Sequence, residues 1–405
     1  MRNILVLAMT VFMFGAFAVR SAAQESSPRF TIGGRGLTSL NVNRSSLDAP
    51  GGATTTDDGA VSDFSDSFLL LRLDQLLYER HRAGMVIGFL FPDAKTDLGD
   101  VFYNQVNVFY DAKTFAATLG RTRLNNFLYE FPTLREEDVL EYGFVLNALS
   151  NAENSEFSRY GNVVKAEAFA LNSRLVASGQ VANWTVTDST GARVDDFEIN
   201  AFSGQLTYRL PDGIRYTEVL RQAGLSVHAQ NIQVPGQRWL YSLVASGSVN
   251  LTRHPLRNLE LAGQVLYNRG LGEAGSITDR AVRLATPMGR ARARSTAVMA
   301  SLRFLRRPYQ LERLQASVTG GYKSYEGIDA SQFVVVPNLF FRLGQGVDLG
   351  IQYQFESFRG DLAEIRGRSN AHSIKLTLAF SFQARFNDYF GDRDDILNME
   401  HGYIR

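Results

Sequence analysis

Strict alternation of apolar and other residues near the end of the chain constrains its fold most. Apolar side chains occupy every second position from 374 to 386, namely Ile374, Leu376, Leu378, Phe380, Phe382, Ala384 and Phe386. The intervening positions, from Ser373 to Arg385, are mostly polar or charged. Because successive side chains of a β-strand point to opposite faces, the pattern predicts a strand with one apolar and one wetted face. The run also exceeds the roughly ten residues with which a tilted strand crosses a bilayer.

Comparable alternation recurs along the chain and predicts sixteen strands. They lie at 29–43, 66–78, 81–92, 100–112, 114–122, 160–171, 174–186, 194–210, 215–230, 236–251, 257–269, 294–305, 311–324, 331–343, 346–358 and 371–386. An even number returns both ends of the chain to one side of a membrane, as in bacterial single-chain barrels. The fold class predicted is therefore all-β: a closed antiparallel transmembrane β-barrel of about 16 strands, spanning 24–386.

The joints between these strands alternate in length. Short joints include Glu79-Arg80, Ala112-Lys113, Asn172-Ser173 and Pro211-Asp212-Gly213, whereas 44–65, 123–159, 270–293 and 359–370 are long. Outer-membrane barrels have short turns on the periplasmic side and long loops outside. A soluble sandwich gives no reason for this sorting, so the joints favour the membrane barrel.

The N-terminal segment predicts export. Arg2 precedes an apolar run from Ile4 to Val19, and Ser21-Ala22-Ala23 provides small residues for cleavage, so 1–23 is expected to be a signal peptide. Its removal would leave 40 basic and 41 acidic residues, a balance that does not indicate nucleic-acid binding. The mean hydropathy of −0.13 resembles that of a soluble protein, but a barrel that alternates lipid-facing and lumen-facing residues has an unremarkable average.

Two stretches carry a family resemblance. Phe-Tyr-Asp-Ala-Lys-Thr-Phe-Ala-Ala-Thr-Leu-Gly-Arg-Thr-Arg at 109–123 resembles the hairpin of Gram-negative general porins that ends in a Leu-Gly-Arg strand. Arg-Tyr-Gly-Asn-Val-Val-Lys-Ala-Glu at 159–167 is similar to the strand that leaves their constriction loop. The resemblance implies a 16-stranded trimeric porin of the outer membrane, inserted by the outer-membrane assembly machinery, with residues 123–159 folded into the barrel.

Charges predict the character of such a pore. The inserted loop would contribute Glu136, Glu137, Asp138 and Glu141, while strand parity places Arg35, Arg72 and Arg82 on the opposing inner wall. Arg303, Arg313 and Lys375 extend the basic face, and Asp74 is an inward acid. Acid facing base across a constriction orients dipolar solutes, and the surplus of bases predicts a weak preference for anions.

The C-terminal segment departs from the porin pattern, and small residues on the first strands suggest subunit packing. Porins usually end on an aromatic residue, for which Phe386 is the internal equivalent, so 387–405 is expected to be a C-terminal periplasmic tail, either solvated or touching the pore or a partner. Small residues Gly34, Gly36 and Ala83 on the first strands suit close packing of subunits.

The predicted function is an outer-membrane porin that passes small polar solutes or ions by passive diffusion. A non-conducting adhesion or structural barrel and a soluble secreted β-protein are the alternatives. The five His residues are scattered and form no metal-ligand spacing, and no nucleophile motif is present, so we expect no enzyme activity, no metal and no cofactor. Outer-membrane lipid and the permeating solutes are the expected partners, beside other copies in a homotrimer.

Overall fold

The fold is seen in a computed structural model, which describes most of the predicted strands. The described residues are 28–48, 54–63, 67–77, 81–90, 102–112, 114–123, 160–183, 186–187, 193–194, 199, 201–210, 217–230, 240–254, 256–269, 294–306, 314–344 and 346–386.

These residues form nineteen strands and one short helix. The strands are β1 (Arg29–Asp48), β2 (Thr54–Asp63), β3 (Phe68–Leu76), β4 (Arg82–Leu90), β5 (Phe102–Asp111), β6 (Phe115–Arg123), β7 (Tyr160–Ala170), β8 (Leu175–Asn183), β9 (Val186–Thr187), β10 (Arg193–Val194), β11 (Ala201–Arg209), β12 (Leu220–Gln230), β13 (Leu240–Asn250), β14 (Arg257–Arg269), β15 (Arg294–Arg306), β16 (Leu314–Glu326), β17 (Ala330–Gly344), β18 (Val347–Gly360) and β19 (Asn370–Phe386). The helix, α1 (Asp361–Arg366), lies between β18 and β19. Among the described residues, no helix is both long and apolar enough to span a membrane.

The strands close into one barrel with sixteen strand positions around its wall. From β3 onward each strand pairs antiparallel with the next, except that β9 and β10, of two residues each, pair only with each other and β8 pairs directly with β11, while β2 and β3 both pair with β1. β1 then closes the ring against β19, in a register that runs from Phe30↔Phe386 to Ser46↔Asn370. The predicted closed antiparallel barrel of sixteen strands is confirmed.

Two strands, β2 and β3, share the second strand position of the barrel, and β2 corrects the prediction of a loop at 44–65. β2 pairs with the far half of β1, from Ser39 to Asp48, and β3 pairs with its near half, from Arg29 to Arg35. The composition of 44–65, which is rich in Gly, Thr and Asp, predicts a loop throughout. That interpretation was wrong: the long β1 offers an unpaired backbone edge beyond β3, and β2 satisfies its hydrogen bonds.

The two rims of the barrel differ. We call the rim that holds Arg29 and Phe386 the terminal rim, and the opposite one the loop rim. Short connections lie at the terminal rim, such as Ala170 to Leu175 and Gly344 to Val347, while the widest gaps between strands, 124–159 and 270–293, lie at the loop rim. One loop-rim turn, between Glu326 and Ala330, is nevertheless short.

The outer wall is apolar at every level. Outward side chains that remain largely exposed include Val42, Leu73, Val106, Val164, Leu206, Leu225, Val265, Leu302, Val318, Leu339, Ile351 and Leu376. An apolar surface that encircles a water-soluble protein would far exceed the few hundred Å² usual for a monomer. Hydrocarbon accepts such a wall without this cost, as in transmembrane barrels.

One of the small residues predicted to suit subunit packing is already covered within the chain. A Cβ built on Gly34 would lie 2.9 Å from two carbons of the Phe382 ring, so that ring sits over the glycine. The absence of a side chain at Gly34 therefore serves the seam between β1 and β19. At Gly36, by contrast, a Cβ would meet nothing within 4 Å.

Candidate functional site

The inner wall is the candidate site, because it collects most of the buried charge of the described strands. Inward basic residues are Arg29, Arg72, Lys165, Arg221, Arg303, Lys323, Arg342 and Lys375, and the inward acids that contact bases are Asp74, Glu167, Glu260, Asp348 and Glu356. A charge buried without a partner would cost several kcal/mol, and the pairing of acids with bases on this wall offsets that cost.

The first charge cluster lies near the terminal rim. Arg29 donates to both oxygens of Asp74, with Nε 3.1 Å from Oδ1 and Nη2 2.8 Å from Oδ2. Nε of Arg72 lies 3.5 Å from the same Oδ1, and its guanidinium carbon stands 4.7 Å from the centre of the Phe109 ring. Two guanidinium groups thus share one carboxylate, and the cluster carries a net positive charge. The two hydrogen bonds from Arg29 hold the carboxylate of Asp74 in a fixed orientation.

A second cluster lies on the wall formed by β12, β14 and β15. Oε2 of Glu260 accepts hydrogen bonds from Arg221 and Arg303, and Nε of Arg303 is 2.9 Å away. All three side chains are buried. Arg221 reaches this wall because the pairing of β12 with β13 shifts register between Leu220 and Gln222, leaving Arg221 as the extra residue of a bulge. This cluster also has two bases on one acid.

Three further inward acids among the described residues each have a basic neighbour. Nζ of Lys165 lies 3.0 Å from Oε1 of Glu167 on β7. Nε of Arg342 lies 2.8 Å from Oδ1 of Asp348 across the β17–β18 turn. Glu356 accepts from the amide of Gln332, and Nη2 of Arg368 lies 4.0 Å from its Oε2. Each acid named here is compensated, and the eight inward bases named above outnumber the five acids, so these described side chains give the wall a net positive charge.

The loop rim is partly covered by a small apolar cluster. Leu362 of α1 is fully buried against Tyr325, Ala330 and Phe358. The helix follows Gly360, whose φ is 60°, and the amide of Asp361 donates to the carbonyl of Asp329 at 2.7 Å. The cluster therefore holds α1 against the short turn between β16 and β17.

The structure tests the placement of only some predicted residues. Arg72, Asp74, Arg303 and Lys375 are buried on the inner wall, and Arg82 is half-buried at the start of β4. Arg35 lies in β1, but its side chain is outside the description. The remaining predicted residues lie outside the described residues: Glu136, Glu137, Asp138, Glu141 and Arg313. The predicted opposition of acid and base across a constriction therefore stays a prediction.

Two members of the second cluster, Arg221 and Glu260, were not among the residues predicted from the sequence. Glu260 alternates with Leu259 and Leu261, so the parity of its strand could have placed it inward. Arg221 could not be placed this way, because a bulge breaks the alternation on which parity depends. The described residues contain no group of three or more His, Asp or Glu side chains that could hold a metal ion.

Comparison with solved structures supports the architecture. The outer membrane channel DcaP of Acinetobacter baumannii superposes with a TM-score of 0.61 at 13% identity, covering 89% of this chain and 99% of that one. The trimer form of OmpT from Vibrio cholerae gives 0.55 at 8% identity, covering 88% and 100%. The anion-selective porin from Comamonas acidovorans gives 0.54 at 12% identity, covering 88% and 100%. No protein-family model and no curated protein matches the chain.

At these identities the likeness concerns the fold. The class is that of sixteen-stranded outer-membrane barrels, and this chain has the porin fold over nearly its whole length.

Proposed function

We propose that the protein forms a water-filled channel in the bacterial outer membrane, through which small polar solutes diffuse. The observation that carries the proposal is the contrast between the two walls of the closed barrel: apolar side chains outside and paired charges inside. Lipid suits the first wall and water the second. The terminal rim would face the periplasm and the loop rim the exterior.

The charge of the inner wall supports a weak preference for anions. Two described clusters each place two arginines on one carboxylate, and Lys323 and Lys375 add buried positive charge. If residues 123–159 fold inward as the porin resemblance implies, Glu136, Glu137, Asp138 and Glu141 would oppose this wall and create a transverse field. One structural neighbour is described as an anion-selective porin.

The same proposal covers the ends of the chain and its assembly. Residues 1–23 would be cleaved on export, and 387–405 would form a periplasmic tail. A homotrimer is the proposed assembly, supported by the trimer form of one fold neighbour. The detergent-solubilised protein should then migrate as a large species on an unheated gel and as a monomer after boiling. One band at every temperature would contradict a stable trimer.

Planar bilayer recordings under a salt gradient test the channel. The mature protein in KCl should give stepwise conductance. Its reversal potential should be displaced from zero toward the equilibrium potential of chloride. A bilayer that receives detergent alone is the control. Absence of conductance in a correctly folded preparation would reject the channel. A reversal potential displaced toward the equilibrium potential of potassium would reject the preference for anions but not the channel.

A further inference from the structure

Two arginines face each other on the outer wall at the terminal rim. Arg257 is the first residue of β14 and Arg306 the last of β15, and the two are direct cross-strand partners. Both are exposed, whereas their chain neighbours Asn258 and Leu305 are buried on the inner face. Alternation along a strand therefore places Arg257 and Arg306 on the outer face. We call these two residues the rim pair.

The rim pair brings two like charges together without a described counter-charge. Side chains directly opposite in an antiparallel pair have Cβ atoms about 4.5–5.5 Å apart, and like charges in that relation destabilise a sheet. Among the residues that the structure describes, no acid forms an ion pair with Arg257 or Arg306. Glu218, the described acid nearest in strand order at this part of the rim, precedes β12, two strands away from β14. An anion from outside the chain would relieve the repulsion.

The opposite ends of the same two strands carry a second arginine pair, which is compensated. Arg269 and Arg294 are also direct cross-strand partners, at the loop rim. Arg269 donates to Oη of Tyr241 at 2.8 Å, and Nη1 of Arg294 lies 3.5 Å from Oε2 of Glu326. One pair on these strands thus has partners within the chain, and the rim pair has no such partner among the described side chains.

The rim pair lies at the level where the apolar outer wall ends. In register with Arg306 are Leu314 on β16 and, beyond it, Phe341 on β17, which is 43% exposed. Phe304, one outward position further from the rim, is exposed as well. Lipid covers such side chains, and arginine extends a charged head from an apolar stem. The guanidinium groups of the rim pair therefore reach the headgroup layer of the membrane.

The turn before β14 is ordered and carries a third arginine. The amide of Leu259 donates to Oγ1 of Thr252 at 2.8 Å, and the amide of Arg257 donates to the carbonyl of His254 at 3.3 Å. Arg253, within this turn, is exposed. Because these hydrogen bonds hold the turn, Arg253 is presented close to the rim pair without a cost for ordering the backbone on binding.

The phosphate group of a lipid suits both the charges and the surrounding apolar wall. Its oxygens accept hydrogen bonds from two guanidinium groups at once, and the planar fork of arginine matches their geometry. The acyl chains of the same molecule would lie along the exposed side chains of Phe304 and Leu302 on β15. A free phosphate ion would answer the charge alone.

We propose that the rim pair, with Arg253, binds the phosphate headgroup of an anionic phospholipid. With the terminal rim toward the periplasm, this lipid belongs to the periplasmic leaflet. The inference rests on the proposed function only for that orientation, and it goes beyond it because the site lies on the outside of the barrel. The bound phosphate bridges β14 and β15 where their like charges would otherwise repel.

Native mass spectrometry of the detergent-solubilised protein tests the site. Phosphatidylglycerol and phosphatidylcholine with identical acyl chains are titrated, and the apparent Kd of the first bound lipid is measured. Wild type should bind phosphatidylglycerol more tightly. In R257Q/R306Q the Kd for phosphatidylglycerol should rise about tenfold, because two basic contacts are lost, with that for phosphatidylcholine unchanged.

A matched variant controls for the loss of charge. R269Q/R294Q removes two arginines from the other ends of the same strands, where partners within the chain compensate them, so the Kd for phosphatidylglycerol should stay at its wild-type value. Equal Kd values in the two double variants would overturn the site. Salt conductance of R257Q/R306Q in planar bilayers should equal that of wild type, which shows that the variant is folded.

Two other occupants give different results. Inorganic phosphate that binds the lipid-free protein as tightly as phosphatidylglycerol does, and fails to bind R257Q/R306Q, would replace the lipid with a phosphate ion. Binding of phosphatidylglycerol only after removal of 387–405, which carries five acids, would assign the rim pair to that segment instead. Lipid binding by a wild-type protein that gives no conductance would overturn the proposed channel and leave the lipid site in place.

Discussion

Nε of Arg303 lies 2.9 Å from Oε2 of Glu260, the oxygen that also accepts from Arg221. The contact joins neighbouring strands β14 and β15, where Glu260 and Arg303 are direct cross-strand partners. Since Glu260 is fully buried, its charge is compensated by the two guanidinium groups and only weakly by water. The Glu260 carboxylate therefore offsets the repulsion between the guanidinium groups of Arg221 and Arg303.

Replacing Glu260 with Gln should destabilise the barrel by about 3–5 kcal/mol, because two buried guanidinium groups would lose their shared acid. Urea unfolding in detergent or lipid vesicles, followed by tryptophan fluorescence, measures the change. E326Q is the matched control: the Glu326–Arg294 pair is exposed, 3.5 Å apart, and worth less than about 1 kcal/mol. Equal losses in the two variants would contradict this account of Glu260.

Neutralising Lys323 and Lys375 should weaken anion preference. Both lysines are buried on the inner wall, and K323Q/K375Q removes two positive charges from it. The chloride-to-potassium permeability ratio, obtained from reversal potentials, should fall by about twofold or more. R294Q removes a positive charge from an exposed position on the outer side of the loop rim and should leave the ratio unchanged. A ratio in K323Q/K375Q equal to that of wild type would show that the lining does not set selectivity.

Gly360→Ala should release α1 from the loop rim. A Cβ at Gly360, where φ is +60°, would lie 1.9 Å from the carbonyl oxygen of Asp329. Gly367→Ala has nearly the same φ, +62°, but its Cβ would meet nothing within 4 Å, so it should cost only about 1–2 kcal/mol. Proteinase K cleavage within 361–369 should therefore be faster in G360A than in G367A. Comparable rates would contradict the role of this close approach.

A positive charge on the outer wall tests its contact with lipid. Leu376 is outward near the middle of β19, whereas Lys375 beside it is inward. L376R should destabilise the barrel refolded in vesicles by about 2–4 kcal/mol, because the guanidinium would enter hydrocarbon. L376M, which keeps the position apolar, should cost less than about 1.5 kcal/mol. If L376R refolds as stably as L376M, this face does not meet the bilayer core.

The sequence by itself determined the sixteen strand positions of the barrel and, wherever the alternation is unbroken, the face that each side chain takes. Alternation is clearest at 371–386 and 346–358 and recurs along the chain, and it can be read from the sequence because a strand's side-chain period of two is local and lipid favours apolar side chains on the outward face. The inward placement of Arg72, Asp74, Arg303 and Lys375 followed from the same parity.

Tertiary structure decided what depends on neighbours across the barrel. β2 forms because β1 presents a free edge, although 54–63 has the composition of a loop. Arg221 points inward because a bulge resets parity, and Phe382 covers Gly34 because closure of the ring places β19 beside β1. Pairing partners, bulges and shared carboxylates join residues far apart in the chain, so only the closed barrel determines which charges meet.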